Sequence, residues 1–203
     1  MRILLISLIA AVCGTAIGAV SALWMGGLLS GGLRIGDSIK VDDWSSDWSI
    51  GSEAANPYVR ARIARVGLLA LRKEEAVYFN RAVDDEGRAL TEACTYRVSA
   101  GALPAEWWSI TLYDRDSRLP MNTDGALSFD ATDAADLGDA GDWSFTISPA
   151  KGTGPKRQWV SSKAADVFDL TLRLYLPTDA LLDDPAAALR PPRIERLSCE
   201  GGV

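Results

Sequence analysis

Between Trp107 and Tyr113 every second residue carries an aromatic ring or a hydroxyl: Trp107, Ser109, Thr111 and Tyr113 alternate with Trp108, Ile110 and Leu112. Residues 168–176 repeat the scheme, with Asp169, Thr171, Arg173 and Tyr175 set between Phe168, Leu170, Leu172, Leu174 and Leu176. Trp143, Phe145 and Ile147 likewise alternate with Ser144, Thr146 and Ser148. Successive side chains of a strand point to opposite sides, so each segment predicts one apolar face and one polar face. Were the first two strands neighbours, Trp107, Tyr113, Arg173 and Tyr175 would form a platform for a flat apolar ring or a sugar, with Ser109 and Thr111 hydrogen-bonding its edge. The plain alternative is that Thr, Tyr and Trp favour strands and tolerate water on one side. Both readings stand at this level.

Other chemistries find less support. The chain has no histidine, which removes the commonest general base and the commonest transition-metal ligand. Ser109 therefore has no imidazole to activate it, and no G-x-S-x-G elbow surrounds it. A glycosidase-like pair of carboxylates could be drawn from Glu106, Asp114, Asp116 and Asp169, but the separation that such a pair needs is not written in the sequence. Asp130, Asp133, Asp136, Asp139 and Asp142 recur every third residue, and oxygen-rich loops hold calcium, yet the order departs from an EF-hand. Cys13, Cys94 and Cys199 lack metal-binding spacing. No catalytic residue, metal site or cofactor is assigned. The net charge of −6 argues against a nucleic-acid surface. A non-catalytic binding or interaction module is the leading reading; a carboxylate-dependent envelope hydrolase and a structural dimeric membrane protein are the alternatives.

The elements that position these residues begin with an anchor. From Ile3 to Leu29 no side chain is charged, more than the roughly 20 residues that cross a hydrocarbon core, so residues 1–30 are expected to form a transmembrane helix. A cleaved signal peptide ending near the Ala19–Ala22 stretch is the rival. Arg2 precedes the apolar run, while Arg34 and Lys40 after it are mixed with acids, which favours the bulk of the chain on the periplasmic side of the inner membrane. Gly14 and Gly18 make a G-x-x-x-G that suits a homodimer of such helices.

Residues 31–55, rich in Gly, Ser and Asp and carrying Trp44 and Trp48, read as a tether. Asn56 and Pro57 have the form of a cap and first position for an amphipathic helix over 56–73, with Val59, Ile63, Val66, Leu69 and Ala70 on one face and Arg60, Arg62, Arg65 and Arg72 on the other. From 74 to 203 the period changes to two and turn signals multiply, which predicts a mainly β domain, an antiparallel sandwich or jelly roll. Within it "DDEG" suits a hairpin turn between "AVYFNRAV" and "EACTYRVS", and "TDALLDDPAAAL" a short helical turn. Cys94 falls in a strand and Cys199 at the end of the last one. In an oxidising compartment the two are expected to bridge; the alternative is a pair of buried thiols.

The order of motifs is also informative: Asp84, Gly87 and Leu90 in D-x-x-G-x-x-L, then Tyr96, Pro104, "WSITLYD", and finally "LRLYLP" before "PPRI". Together they resemble the bacterial domain of unknown function 1214 over roughly residues 74–198. The resemblance implies a β-rich, jelly-roll-like fold and supplies no activity. Members often carry a second β domain ahead of this one, where the present chain has an anchor and a tether, so it resembles a short membrane-attached variant. The chain departs from the family pattern at Asn122–Thr123, where an asparagine–proline pair is expected, and at Gln158–Ser161, where N-W-L-P is expected. No ligand role is carried over to those positions.

Overall fold

The computed structural model describes residues 2–25, 38–52, 55, 57–65, 71–138, 141–152, 154–155 and 158–199. Two compact units result, one of Met1–Asp37 with Trp48–Ala70, the other of Ser38–Asp47 with Leu71–Val203.

The first unit contains α1 (Arg2–Met25) and α2 (Pro57–Arg65). At 1.5 Å per residue, α1 is about 36 Å long. By length and composition it qualifies as a membrane span, a test that a signal sequence passes equally. Gly14 and Gly18 lie one turn apart on it, and a Cβ at either would meet nothing within 4 Å. Pro57 opens α2, where its missing N–H costs nothing. Asn56, Val66, Leu69 and Ala70 lie outside the described residues. The helix does not extend to Lys73: Leu71 and Arg72 are non-helical, and the Arg72 carbonyl accepts from Glu75 N and Ala76 N at 2.8 and 2.9 Å, which turns the chain into the next strand.

The second unit is built from β1 (Ser38–Val41), β2 (Trp44–Asp47), β3 (Ala76–Arg81), β4 (Cys94–Ala100), β5 (Ala105–Asp114), β6 (Ser128–Asp130), α3 (Ala131–Asp136), β7 (Trp143–Ser148), β8 (Trp159–Ser161), β9 (Phe168–Pro177), α4 (Asp179–Asp183), α5 (Pro185–Ala188) and β10 (Arg193–Cys199). The strands form a six-stranded sheet in the order β1-β2-β3-β9-β5-β6 and a four-stranded sheet in the order β10-β4-β7-β8. The chain is thus mainly β, as the period-two patterning predicts. Pairing is antiparallel except between β7 and β8, which run parallel.

Aromatic rings tie the sheets together. Trp108 of β5 stacks on Trp143 of β7 at 4.3 Å, Phe129 of β6 on Phe145 of β7 at 4.6 Å, and Tyr96 of β4 meets Phe168 of β9 edge-on at 5.9 Å. Offset and edge contacts of this kind suit the charge distribution of the rings and bury large apolar areas. The apolar residues of β9 fill the core as far as Leu174; Leu176 leaves the pattern with φ +48° and is 51% exposed.

Two expectations change. Residues 38–47, read as part of a tether, form a hairpin at the edge of the larger sheet. Trp44 drives this: it is fully buried, and its indole N–H donates to the Pro192 carbonyl at 2.8 Å, while Ser45 pairs with Asn80 of β3. The "DDEG" turn does form, with Gly87 at φ +78° and a bridge between Val83 and Ala89. Its flanking strands nevertheless join different sheets, β3 beside β9 and β4 between β10 and β7. The fully buried Asp84 side chain and Leu90 occupy the crossover between them. A disulfide joins Cys94 and Cys199, which face each other in the β4–β10 register.

Candidate functional site

Strand register sets out the polar face of the six-stranded sheet as rows across β3, β9 and β5. Ala76, Tyr175 and Trp107 form the first row; Tyr78, Arg173 and Ser109 the second; Asn80, Thr171 and Thr111 the third; Asp169 and Tyr113 continue beyond. On β6, Asp130 extends the second row and Ser128 the third. All six sequence-derived candidates, Trp107, Ser109, Thr111, Tyr113, Arg173 and Tyr175, therefore share one face. Their alternation places them there because Trp108, Ile110, Leu112 and the leucines of β9 are drawn into the core on the other side.

The Trp107 and Tyr175 rings lie 5.3 Å apart, inclined by 57°. Trp107 remains 37% exposed, and its indole N–H donates to Thr132 Oγ1 of α3 at 3.2 Å, which fixes the ring's orientation. Arg173 donates from Nη1 to Thr111 Oγ1 at 3.1 Å and from Nη2 to Tyr113 Oη at 2.7 Å, with its guanidinium 5.4 Å from the Tyr113 ring centre. The hydroxyls thus differ from their expected part. Thr111 and Tyr113 hold Arg173, and Ser109 is buried.

Sequence reasoning missed Tyr78 and Asn80. Their signal was the same alternation in "AVYFNR", but nothing in the sequence placed β3 next to β9. Tyr78 is buried, and burial raises its phenol above the usual value. Asn80 is exposed, and its Oδ1 accepts from Thr171 Oγ1 at 2.7 Å.

The carboxylates arrange differently. Asp169 is driven up to about 6, by burial first and by the Asp114 charge second. Yet Asp169 pairs with Tyr113, whereas Asp114 pairs with Phe168, so the register puts the two acids on opposite faces of the sheet. Asp114 Oδ1 also accepts the backbone N–H groups of Asp116 and Arg118 at 2.9 Å, closing a turn. Asp130 Oδ1 caps α3 by accepting from Thr132 N and Asp133 N. Asp139 lies outside the described residues.

A family model for proteins of unknown function (DUF1214) matches residues 75–179, just over half of the chain. The chain belongs to this family. No curated protein matches it. Among solved structures, the VPA0106 protein from Vibrio parahaemolyticus is similar at 21% identity and a TM-score of 0.55, over 71% of this chain and 36% of that one. An uncharacterized protein from Burkholderia cenocepacia is 20% identical with a TM-score of 0.37, over 64% and 31%. The chain spans about a third of the length of these structures. At such identity the first likeness speaks to fold alone.

Of the motifs that carry the family resemblance, "WSITLYD" and "LRLYLP" are register partners on β5 and β9 and supply most of the polar face. The D-x-x-G-x-x-L residues are structural. Asp84 Oδ1 accepts from Glu86 N and Arg88 N at 3.0 and 2.9 Å, and its Oδ2 accepts from Arg88 Nε at 2.9 Å. Arg196 Nε lies 2.9 Å from the same Oδ2, an ionic contact without hydrogen-bond alignment. Burial pushes the Asp84 carboxyl up, but these N–H donors outweigh it and hold the group below the ordinary range. The departures at Asn122 and Gln158–Ser161 also converge. Ser161 Oγ donates to Asp124 Oδ2 at 2.6 Å, and Asn122 Nδ2 donates to the Lys163 carbonyl at 2.8 Å, tying two loops together.

Proposed function

We propose that this protein is a membrane-anchored, non-catalytic binding module whose β unit faces the extracytoplasmic side of the inner membrane and takes its ligand on the polar face of the six-stranded sheet. The observation that carries the reading is the Trp107–Tyr175 ring pair, with Trp107 exposed and oriented by Thr132, Tyr175 half-buried, and Arg173 beside them. Rings held in this way stack on flat apolar surfaces with little loss of side-chain freedom. Apolar α1 supports attachment, Arg2 at its first position supports the orientation, and the Cys94–Cys199 bridge suits an oxidising compartment. The register puts Asp114 and Asp169 on opposite faces, which speaks against a catalytic pair made of these two acids.

Two measurements test it. Alkaline extraction of membranes from cells expressing the full chain is expected to leave the uncleaved protein in the pellet; recovery of full-length protein in the supernatant rejects the anchor. On an array of sugars and aromatic compounds, binding is expected to fall at least tenfold when Trp107→Ala and Tyr175→Ala are combined. Binding that survives both changes rejects the face.

A further inference from the structure

We infer that the polar face selects an acidic disaccharide, stacking one ring on Trp107 and Tyr175 while Arg173 receives the carboxylate of the other. This rests on the reading of the face as a binding surface and adds the charge and length of what it binds. Arg81, Arg88, Arg97, Arg115, Arg193 and Arg196 each contact a carboxylate. Arg173 is half-buried in the centre of a sheet and is held by neutral oxygens, Thr111 Oγ1 and Tyr113 Oη, with no carboxylate against it among the described residues.

The two acids nearest on this face do not neutralise it. Asp169 stands four residues along β9, about 13 Å from Arg173 between Cα positions at about 3.3 Å per residue; the guanidinium leans toward the Asp169 row but makes no ion pair with that acid. Asp130 on β6 is engaged by the N-terminus of α3. A guanidinium has five N–H donors in a planar fork, and the bonds to Thr111 and Tyr113 leave others for an anion. A positive charge partly withdrawn from water and left without an ion-pair partner favours an anionic ligand, and most of all one that presents a planar carboxylate.

Length follows from the rows. Arg173 leans from the second row toward the third and fourth, so its guanidinium stands about 10–13 Å from the ring pair along the strands. One ring is too short to reach both stations, whereas two linked sugar rings suffice. Asn80, exposed in the third row with its Oδ1 already engaged by Thr171, offers its amide N–H groups to ligand hydroxyls between them.

The test titrates the full-length chain in detergent micelles with cellobiose and maltose, each beside its terminal-uronate counterpart. A preference of at least tenfold for the uronates is expected. It should vanish in Arg173→Met and persist, with weaker binding, in Arg173→Lys, which keeps the charge but not the fork; Trp107→Ala should weaken neutral and acidic sugars alike. Equal binding of neutral and acidic sugars, unchanged by Arg173→Met, overturns the inference and leaves the binding face standing. Binding of neither, or binding indifferent to Trp107→Ala, overturns both. Wild-type circular dichroism of each variant accompanies these readings, and the Lys variant decides the matter should Met perturb the fold.

Discussion

Arg81 and Arg173 both stand on inner strands of the six-stranded sheet, and their surroundings differ in kind. Arg81, with 4% of its side chain exposed, reaches Asp85 at 2.9 Å and Asp43 at 3.8 Å, and donates to the carbonyls of Val83 and Pro192. Asp85 in turn binds Arg193 Nε and Ile194 N, which locks the start of β10 against the β3–β4 turn. Among the described residues, Arg173 meets hydroxyls and a ring. A buried charge that is fully paired holds elements together, and removing one partner exposes the whole desolvation cost of the other. A cation kept by neutral groups contributes little to the fold and retains its attraction for an anion. The first cluster is therefore structural and the second available.

The largest expected effect lies at the far end of β10. Replacing Cys94 and Cys199 by serine is expected to lower the unfolding free energy by about 4–5 kcal/mol, since the bridge closes a loop of 105 residues in sequence. Guanidinium denaturation followed by tryptophan fluorescence measures it, and a loss below about 1 kcal/mol would show that the charged cluster alone holds β10. Next comes Asp84→Ala, which strands Arg196 and the turn N–H groups and is expected to remove about 3–4 kcal/mol in the same assay.

Acidity separates the two regions by sign. Asp84 and Asp85 titrate below the ordinary carboxylate range, because donated hydrogen bonds and arginines outweigh their burial. They stabilise the native state above the unfolded carboxylate value, and that stability is lost as pH falls through their folded values. Asp169 behaves in the opposite way. Raised to about 6, it binds a proton in the native state that the unfolded chain releases, so its ionisation weakens the fold as pH rises from about 4 to 6. Asp169→Asn is expected to stabilise by about 1–2 kcal/mol at pH 8, after discount for partial exposure, and not at pH 4. The smallest effect belongs to Arg173→Met: less than about 1 kcal/mol in stability. A loss as large as that of Asp84→Ala would place Arg173 with the structural cluster and erase the contrast.

Period-two alternation in 107–113, 143–148 and 168–174 was enough to assign which residues turn inward, because the pleat leaves no other choice once one face is apolar. The motif order was enough to identify the family. An apolar run such as α1 is equally legible, since length and lack of charge decide whether it can enter a membrane. Neighbour relations were not legible. That β9 lies between β3 and β5, that β3 and β4 part company at a turn resembling a hairpin, and that Trp44 pulls a supposed tether into the sheet all depend on contacts between residues far apart in the chain. Local propensity carries no information about such contacts. The same holds for charge: the sequence supplied the arginines and acids, but only tertiary packing decided which of them meet. Arg81 is thereby closed into the fold, while Arg173 is left with hydroxyls for company.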